Sequence, residues 1–361
     1  MNSTKIYSLL LLFFFTFSFC SKKDIEEEII EEPQTAEIYF PSITTNIWET
    51  ILPEELNWNL TKIEDLKTFL SEKNTKSFMV LYNGKIVMEE YFNNHTATSN
   101  WYRASAGKTL TSTVSGIAQD ENLLHINDKV SDYLGTGWTS ATLDKENLIT
   151  CKNLLSMTSG LDDSLGDAVS PDNLKYVADA GTRWAYHNVY VKMQDVVANA
   201  SNTTWSNYFN TKLRDKIDMN GVWTDVGSLS VYWSTTRSMA RFGLLISANG
   251  KWENTQIVSE SFLNEATNTS QNINTSYGYY WWLNGKPNYH LPQSQYQFNG
   301  ELIPNAPADM LCALGKNDQK IYVVPSKKLI IIRMGEAAED SNFALSNFDN
   351  ELWEKMNDVI E

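Results

Sequence analysis

Apolar positions recur at helical spacing through Leu60, Ile63, Leu66, Phe69 and Leu70, the stripe of an amphipathic helix. The pattern then changes to continuous apolar runs, Ser77 to Tyr82 and Lys85 to Phe92, around Asn83-Gly84. An Asn-Gly pair between such runs predicts a type I′ turn, hence a β-hairpin. After the polar stretch from Asn93 to Asn100, the helical period returns with Leu110, Val114, Ile117 and Ala118 on one face behind Ser105. That helix is expected to begin at the serine itself, where its backbone N–H would favour negative charge. Asp128 to Leu134 and Thr150 to Met157 extend a largely helical region to about Val222, its loops marked by Gly160, Gly166 and Gly181.

From Val231 the pattern predicts helices over Thr235 to Ala248 and Ser259 to Ala266. Strands follow at Tyr277 to Leu283, Asp309 to Leu314, Lys320 to Val324 and Leu329 to Arg333, with Pro325 to Lys328 turning the last two into a hairpin. An amphipathic helix over about Phe343 to Ile360 closes the chain. Strands at both ends with helices between them predict an α/β fold of the α+β type. It would be a mostly antiparallel sheet flanked by helices, with an all-helical insertion. The sheet part is expected at 43–104 and 231–361, the helical part at 105–230.

The first residues carry a different pattern. Lys5 precedes the apolar run Leu9 to Phe17, too short to span a bilayer comfortably, and Cys20 follows. Residues 1–20 read as an export signal in which Cys20 would be lipidated, although Phe19 stands where a small residue is expected; an ordinary cleaved signal or an uncleaved anchor are the alternatives. Residues 21–42 are Glu-rich and broken by Pro33 and Pro41, which reads as a tether. The expected location is the bacterial cell envelope, outside the cytoplasm, held to the membrane through the lipid anchor.

The 361 residues, 42% of them hydrophobic with 12 Trp, 17 Tyr and 15 Phe, suffice for a large core. A net charge of −15 argues against nucleic acid as a partner. Three cysteines exclude a disulfide framework; Cys151 and Cys312 are either a disulfide or two buried thiols. His95, His125, His187 and His290 lack metal-binding spacing, so neither metal nor cofactor is expected.

Three short groups carry candidate chemistry. In Ser105-Ala106-Gly107-Lys108 the serine and lysine lie three apart on one helical face, so the amine can reach the hydroxyl and take its proton if it is neutral. In Tyr186-His187-Asn188 a tyrosine close to an ammonium would have its phenol pKa lowered and could serve as a base, while Asn188 could hold the lysine or a substrate carbonyl. In Ala313-Leu314-Gly315 the glycine would let a substrate approach a strand closely, and a neighbouring N–H could join that of Ser105 in an oxyanion hole. Tyr279-Tyr280 and Trp281-Trp282 read as half core and half surface, with a weaker possibility that they line a cleft.

In this order and at these separations, the three groups resemble the motifs of the class C β-lactamase-related serine hydrolases. The segments Asn83 to Val87, Leu154 to Leu161 and Ile321 to Pro325 resemble that family as well. The chain closely resembles the branch that includes 6-aminohexanoate-dimer hydrolases and related esterases. The resemblance implies a β-lactamase/penicillin-binding-protein-like fold with the site between sheet and helices. It implies that Ser105 forms an acyl-enzyme, that Lys108 and Tyr186 share its activation, and that Asn188 completes its motif. The backbone N–H groups of Ser105 and Lys316 would form the oxyanion hole, beside Ala313 and Gly315.

Ala313 stands where β-lactamases and penicillin-binding proteins commonly carry a lysine that would hold a substrate carboxylate. The expected substrate is therefore a small-molecule ester or amide, with β-lactamase or D,D-peptidase activity, or a non-catalytic binding domain, as alternatives. Ala106 to Thr109 also mimics the end of a phosphate-binding loop, but Tyr102 occupies its required first glycine. An α/β-hydrolase elbow fails likewise, because Arg103 replaces its first glycine.

Overall fold

The computed structural model describes residues 37–45, 47–339 and 345–360. Expectations for residues 1–36, including the signal and lipidation at Cys20, lie outside the described residues. So does the expected start of the last helix at Phe343.

In chain order, α1 (Leu60–Glu72) leads into β1 (Thr75–Tyr82), β2 (Lys85–Tyr91) and the short β3 (Trp101–Tyr102). Helices α2 (Lys108–Asp120), α3 (Val130–Leu134), α4 (Leu143–Glu146), α5 (Cys151–Leu155), α6 (Tyr190–Ala200) and α7 (Trp205–Lys212) follow. Strands β4 (Val222–Val226) and β5 (Leu229–Ser234) precede α8 (Thr236–Ser247). Next come β6 (Lys251–Trp252), β7 (Thr255–Gln256), α9 (Glu260–Ala266), β8 (Trp282–Leu283), β9 (Asn288–His290) and β10 (Gln297–Asn299). The chain ends on β11 (Leu311–Gly315), β12 (Gln319–Val324), β13 (Leu329–Gly335) and α10 (Asn347–Ile360).

The main sheet is antiparallel throughout, in the order β2-β1-β13-β12-β11-β8. Helices cover both faces. On one, α8 packs on β1, β12 and β13, and its Thr236 hydroxyl meets Ser77 of β1 at 2.6 Å. On the other lie α1 and α10, joined by stacking of Phe69 on Phe348 at 5.7 Å. Tyr322 of β12 meets Trp353 of α10 edge-on at 5.9 Å. A sheet covered on both faces needs apolar residues on both, and β12 and β13 are accordingly buried along their whole length. The strands therefore read as runs and not as alternation.

The hairpin forms as expected. Asn83 and Gly84 both take positive φ, 47° and 87°, which fits the type I′ turn. Gly84 has a second reason to lack a side chain, since a Cβ there would lie 1.9 Å from the Tyr39 carbonyl. Helix α1 starts where Asn59 accepts from the Lys62 N–H at 3.3 Å, a side-chain cap worth about 1 kcal/mol. Its Ile63, Leu66 and Leu70 are the buried stripe.

Several expectations need correction. Ser105 lies in a 3₁₀ turn, Ala104–Gly107, that runs directly into α2, so the α-helix begins at Lys108 and not at the serine. Helix α2 is buried from Lys108 to Ala118, far more than one stripe. It tolerates this because its hydroxyls bond back to its own turns: Thr109 to Ala106 O, Thr113 to Thr109 O and Ser115 to Thr111 O.

The region up to Val222 is less helical than expected, since residues 158–189 contain no helix. A small sheet, β3-β5-β4, joins the two sequence parts that flank it. The expected strand Tyr277 to Leu283 shrinks to Trp282–Leu283, because Tyr280 takes φ 62° and its N–H bonds Leu155 O in α5. Residues 37–42, read as part of the tether, cluster with the rest of the described chain. Tyr39 N–H bonds Asn83 O, and Arg241 bonds the Pro41 and Ser42 carbonyls.

Candidate active site

The turn that carries Ser105 is held from its N-terminal side by Arg103. Its backbone N–H bonds Tyr232 O in β5, and its buried guanidinium donates to Ser234 Oγ and O and to Thr235 O at 2.7–3.1 Å. Burial pushes the Arg103 pKa well below its ordinary value. Ala104, between this anchor and Ser105, takes φ 46°, a left-handed conformation that costs a residue with a Cβ of order 1 kcal/mol.

Lys108 projects from the first position of α2 so that its Nζ lies 2.8 Å from Ser105 Oγ and 3.4 Å from Asn188 Oδ1. The same amine sits 4.9 Å from the centre of the Tyr186 ring and 4.5 Å from that of Tyr190. Lys108 is only 2% exposed, and burial brings its pKa down to about 7, with Asp167 acting weakly in the opposite direction. At neutral pH a large part of Lys108 is thus an uncharged amine with a free lone pair.

Tyr186 behaves opposite to expectation. Burial pushes its phenol up to about 12, and a hydrogen bond with the Ser105 side chain offsets this only in part. The ammonium that was to lower it is not a standing charge, because the lysine itself is desolvated. Aromatic neighbours set the ring: Trp282 stacks on it at 5.8 Å, and Tyr277 meets it edge-on at 6.2 Å. Trp184 closes the group at 6.3 Å from Tyr186 and 5.8 Å from Trp282. Tyr279, Tyr280, Trp281 and Trp282 are all buried, so this run is core throughout, and of the four it is Trp282 that stacks on the Tyr186 ring.

Asn188 presents its oxygen to Lys108 while its Nδ2 donates to Asp167 Oδ1 at 2.8 Å. Asp167 stands on the irregular segment before Tyr186, and nothing in its local sequence marked it. His187, between the two motif residues, is buried, and burial lowers its pKa.

Gly315 ends β11 directly against the Ser105 turn. A Cβ on it would lie 2.5 Å from Arg103 O and 3.0 Å from Ala106 N. The glycine thus admits the backbone on either side of Ser105. Ala313 is completely buried in β11, paired with Ile321, and presents no surface to a cleft. Lys316 is exposed directly after Gly315.

The turn after Gly315 is fixed from behind. Asn317 and Asp318 both take positive φ, 59° and 57°, and Asn317 Nδ2 donates to Tyr102 OH at 2.6 Å. Gln319 donates to Asn317 O and Gly335 O, and Arg333 donates to Asn317 O, Asp318 O and Lys73 O. Beneath it, Lys320 bridges Asp318 at 3.1 Å and Asp349 at 2.7 Å, all three buried. An Asn-Asp pair between two strand runs was the available signal for the turn; its supports come from distant strands. Cys151 and Cys312 are free buried thiols.

Ser105, Lys108, Tyr186, Asn188 and Gly315 therefore converge, as the sequence order suggested. The Beta-lactamase family description matches residues 73–344. A 23% identical, uncharacterized protein of Alkalihalophilus pseudofirmus aligns over 71% of this chain and 82% of its own length. A Bacillus anthracis structure, provisionally described as a 6-aminohexanoate-dimer hydrolase, superposes with a TM-score of 0.67 at 18% identity, covering 89% of this chain and 88% of that one. A Bacteroides dorei structure, provisionally described as a β-lactamase, gives 0.66 at 18% identity over 84% of this chain and 99% of its own. The penicillin-binding protein of Bacillus halodurans gives 0.59 at 13% identity over 81% and 98%.

Proposed function

The chain belongs to the Beta-lactamase family, and from that premise we propose that it is a serine hydrolase cleaving an ester or amide bond through an acyl-enzyme on Ser105. The observation that carries this reading is the desolvated Lys108 amine 2.8 Å from the Ser105 hydroxyl. A general base works best when its pKa lies near the working pH. Lys108, at about 7, meets that condition, and Tyr186, at about 12, stays protonated.

In the proposed cycle Ser105 Oγ attacks the substrate carbonyl as Lys108 Nζ takes its proton. The oxyanion collects on the backbone N–H groups of Ser105 and Lys316. Tyr186 gives its proton to the leaving alcohol or amine and is reprotonated from Lys108. A water then attacks the acyl-enzyme, passing its proton back by the same groups, and the acid leaves with Ser105 restored. Ala313, small and buried, supplies no cation for a substrate carboxylate. This favours esters and simple amides over β-lactams and peptide C-termini. The N-terminal pattern supports export, with lipidation at Cys20 and anchoring in the cell envelope.

A fluorophosphonate probe tests the reading: Ser105 becomes labelled, and Ser105→Ala and Lys108→Ala abolish labelling. Absence of labelling in well-folded protein would favour a binding domain. Parallel assays with p-nitrophenyl esters, nitrocefin and short amide oligomers rank the substrates, and nitrocefin turnover far above ester turnover would reverse the order. Metabolic labelling with palmitate, lost in Cys20→Ala, tests the anchor.

A further inference from the structure

The Asn188 amide has two unlike ends, and its orientation decides what Lys108 meets. With Oδ1 toward the amine, Asn188 offers an acceptor, which favours a protonated or hydrogen-donating lysine. With Nδ2 toward it, Asn188 would present a donor, which a protonated lysine cannot accept. The end distal to Lys108 is where the choice is made: Asp167 Oδ1 accepts from Nδ2 at 2.8 Å. A carboxylate cannot donate, so it holds the amide in one orientation.

We propose that Asp167 is a positioning residue that locks the Asn188 amide oxygen onto Lys108 and places an anionic charge one side chain away from that amine. Three side chains in series, Asp167, Asn188 and Lys108, thereby connect an exposed loop to the buried base.

The groups facing the amine from each packed segment support this assignment. The nucleophile turn contributes the Ser105 hydroxyl, and α6 contributes the Tyr190 phenol, raised by burial. The segment before α6 contributes the Tyr186 phenol and His187, whose pKa burial lowers. Asp162 and Asp163 act on His187, and Asp163 is already paired with Arg183 at 2.6 Å. Asp167 is the group whose charge bears directly on Lys108, opposing the effect of burial.

The inference rests on reading Lys108 as the base, and its test reports the amine without needing turnover. Full-length protein carrying lysine labelled with ¹³C at Cε is titrated by NMR, and the Lys108 resonance is identified by its loss in Lys108→Arg. Asp167→Asn and Asp167→Ala are expected to lower the Lys108 pKa by about half a unit, the scale of one partly solvated charge. Asp167→Glu is expected to hold it near the wild-type value. A Lys108 titration unchanged in both Asp167→Asn and Asp167→Ala overturns the proposal. Loss of serine labelling in the wild type would count against the hydrolase reading and leave this measurement intact.

Discussion

Lys108 and Tyr186 lie with the amine 4.9 Å from the ring centre, and burial reverses the usual order of their proton affinities. The lysine, ordinarily at 10.5, falls to about 7, and the tyrosine, ordinarily at 10.0, rises to about 12. Desolvation penalises whichever form is charged, so it moves a cation and an anion apart in opposite directions. Two groups so separated suit different roles: under the proposed function the lysine would accept protons and the tyrosine would donate them.

The pH dependence follows. Activity (kcat/KM) should rise with pH through about 7 as Lys108 loses its proton, then stay level to at least pH 10, since Tyr186 ionises near 12. Tyr186→Phe should slow amide substrates far more than p-nitrophenyl esters, roughly 100-fold against less than 10-fold, because nitrophenolate leaves without a proton. Steady-state profiles on both substrates decide it, and an acid limb near 4 would point to a carboxylate base instead.

The same lysine should tax stability. Its folded amine holds a proton less tightly than the unfolded one, so unfolding takes up a proton between about pH 7 and 10.5. Its contribution to stability therefore rises with pH across that window, and the full penalty applies below 7. Lys108→Met should accordingly melt higher than the wild type at pH 6, with the difference shrinking toward pH 10.5. Thermal melts of both proteins across pH measure this, and a constant difference would show that the lysine is not desolvated.

Gly315→Ala should separate folding from catalysis. Its Cβ would press on Arg103 O at 2.5 Å and Ala106 N at 3.0 Å, both backbone atoms that cannot swing away. Overpacking of this kind costs about 1–3 kcal/mol, and displacement of the oxyanion donors should lower kcat by roughly 100-fold. Urea denaturation with kinetics on the folded variant tests both; a variant with full kcat would place the oxyanion donors elsewhere.

Lys320→Met should be among the most damaging changes outside the site. It leaves Asp318 and Asp349 buried without their shared cation, at a cost of about 3–5 kcal/mol. Burial alone would raise the Asp318 pKa, yet Lys320 and the bonds from Ala338 and Ser346 hold it below the ordinary value. Asp318 thus contributes stability at neutral pH that is lost on acidification. In Lys320→Met the loss should begin at higher pH, as acid-denaturation midpoints would show.

The hairpin, the Ser105–Lys108 spacing and the strands β11 to β13 were legible because each is encoded locally, by a turn pair, a helical period or an apolar run. Tyr186 and Asn188 were legible only in order behind the serine. The small sheet was not, since β3 contributes only Trp101 and Tyr102 and gains its partners from β5. Asp167 and Gln319 were equally hidden, because their bonds reach residues that no sequence period connects. The direction of the Tyr186 shift depended on Trp282 and Tyr277 enclosing its ring, which no count of residues between motifs reveals.

The contact of Gly315 with the Ser105 turn has one more consequence. Its two sides come from near the beginning and near the end of the folded chain, braced by Arg103, just after β3, and by Arg333 of β13. On the proposed function, a chain emerging during synthesis would possess Ser105 and Lys108 long before it possessed the Lys316 half of the proposed oxyanion cradle. Hydrolysis would therefore switch on only when the last strands have docked, which makes enzymatic activity a sensor of completed folding.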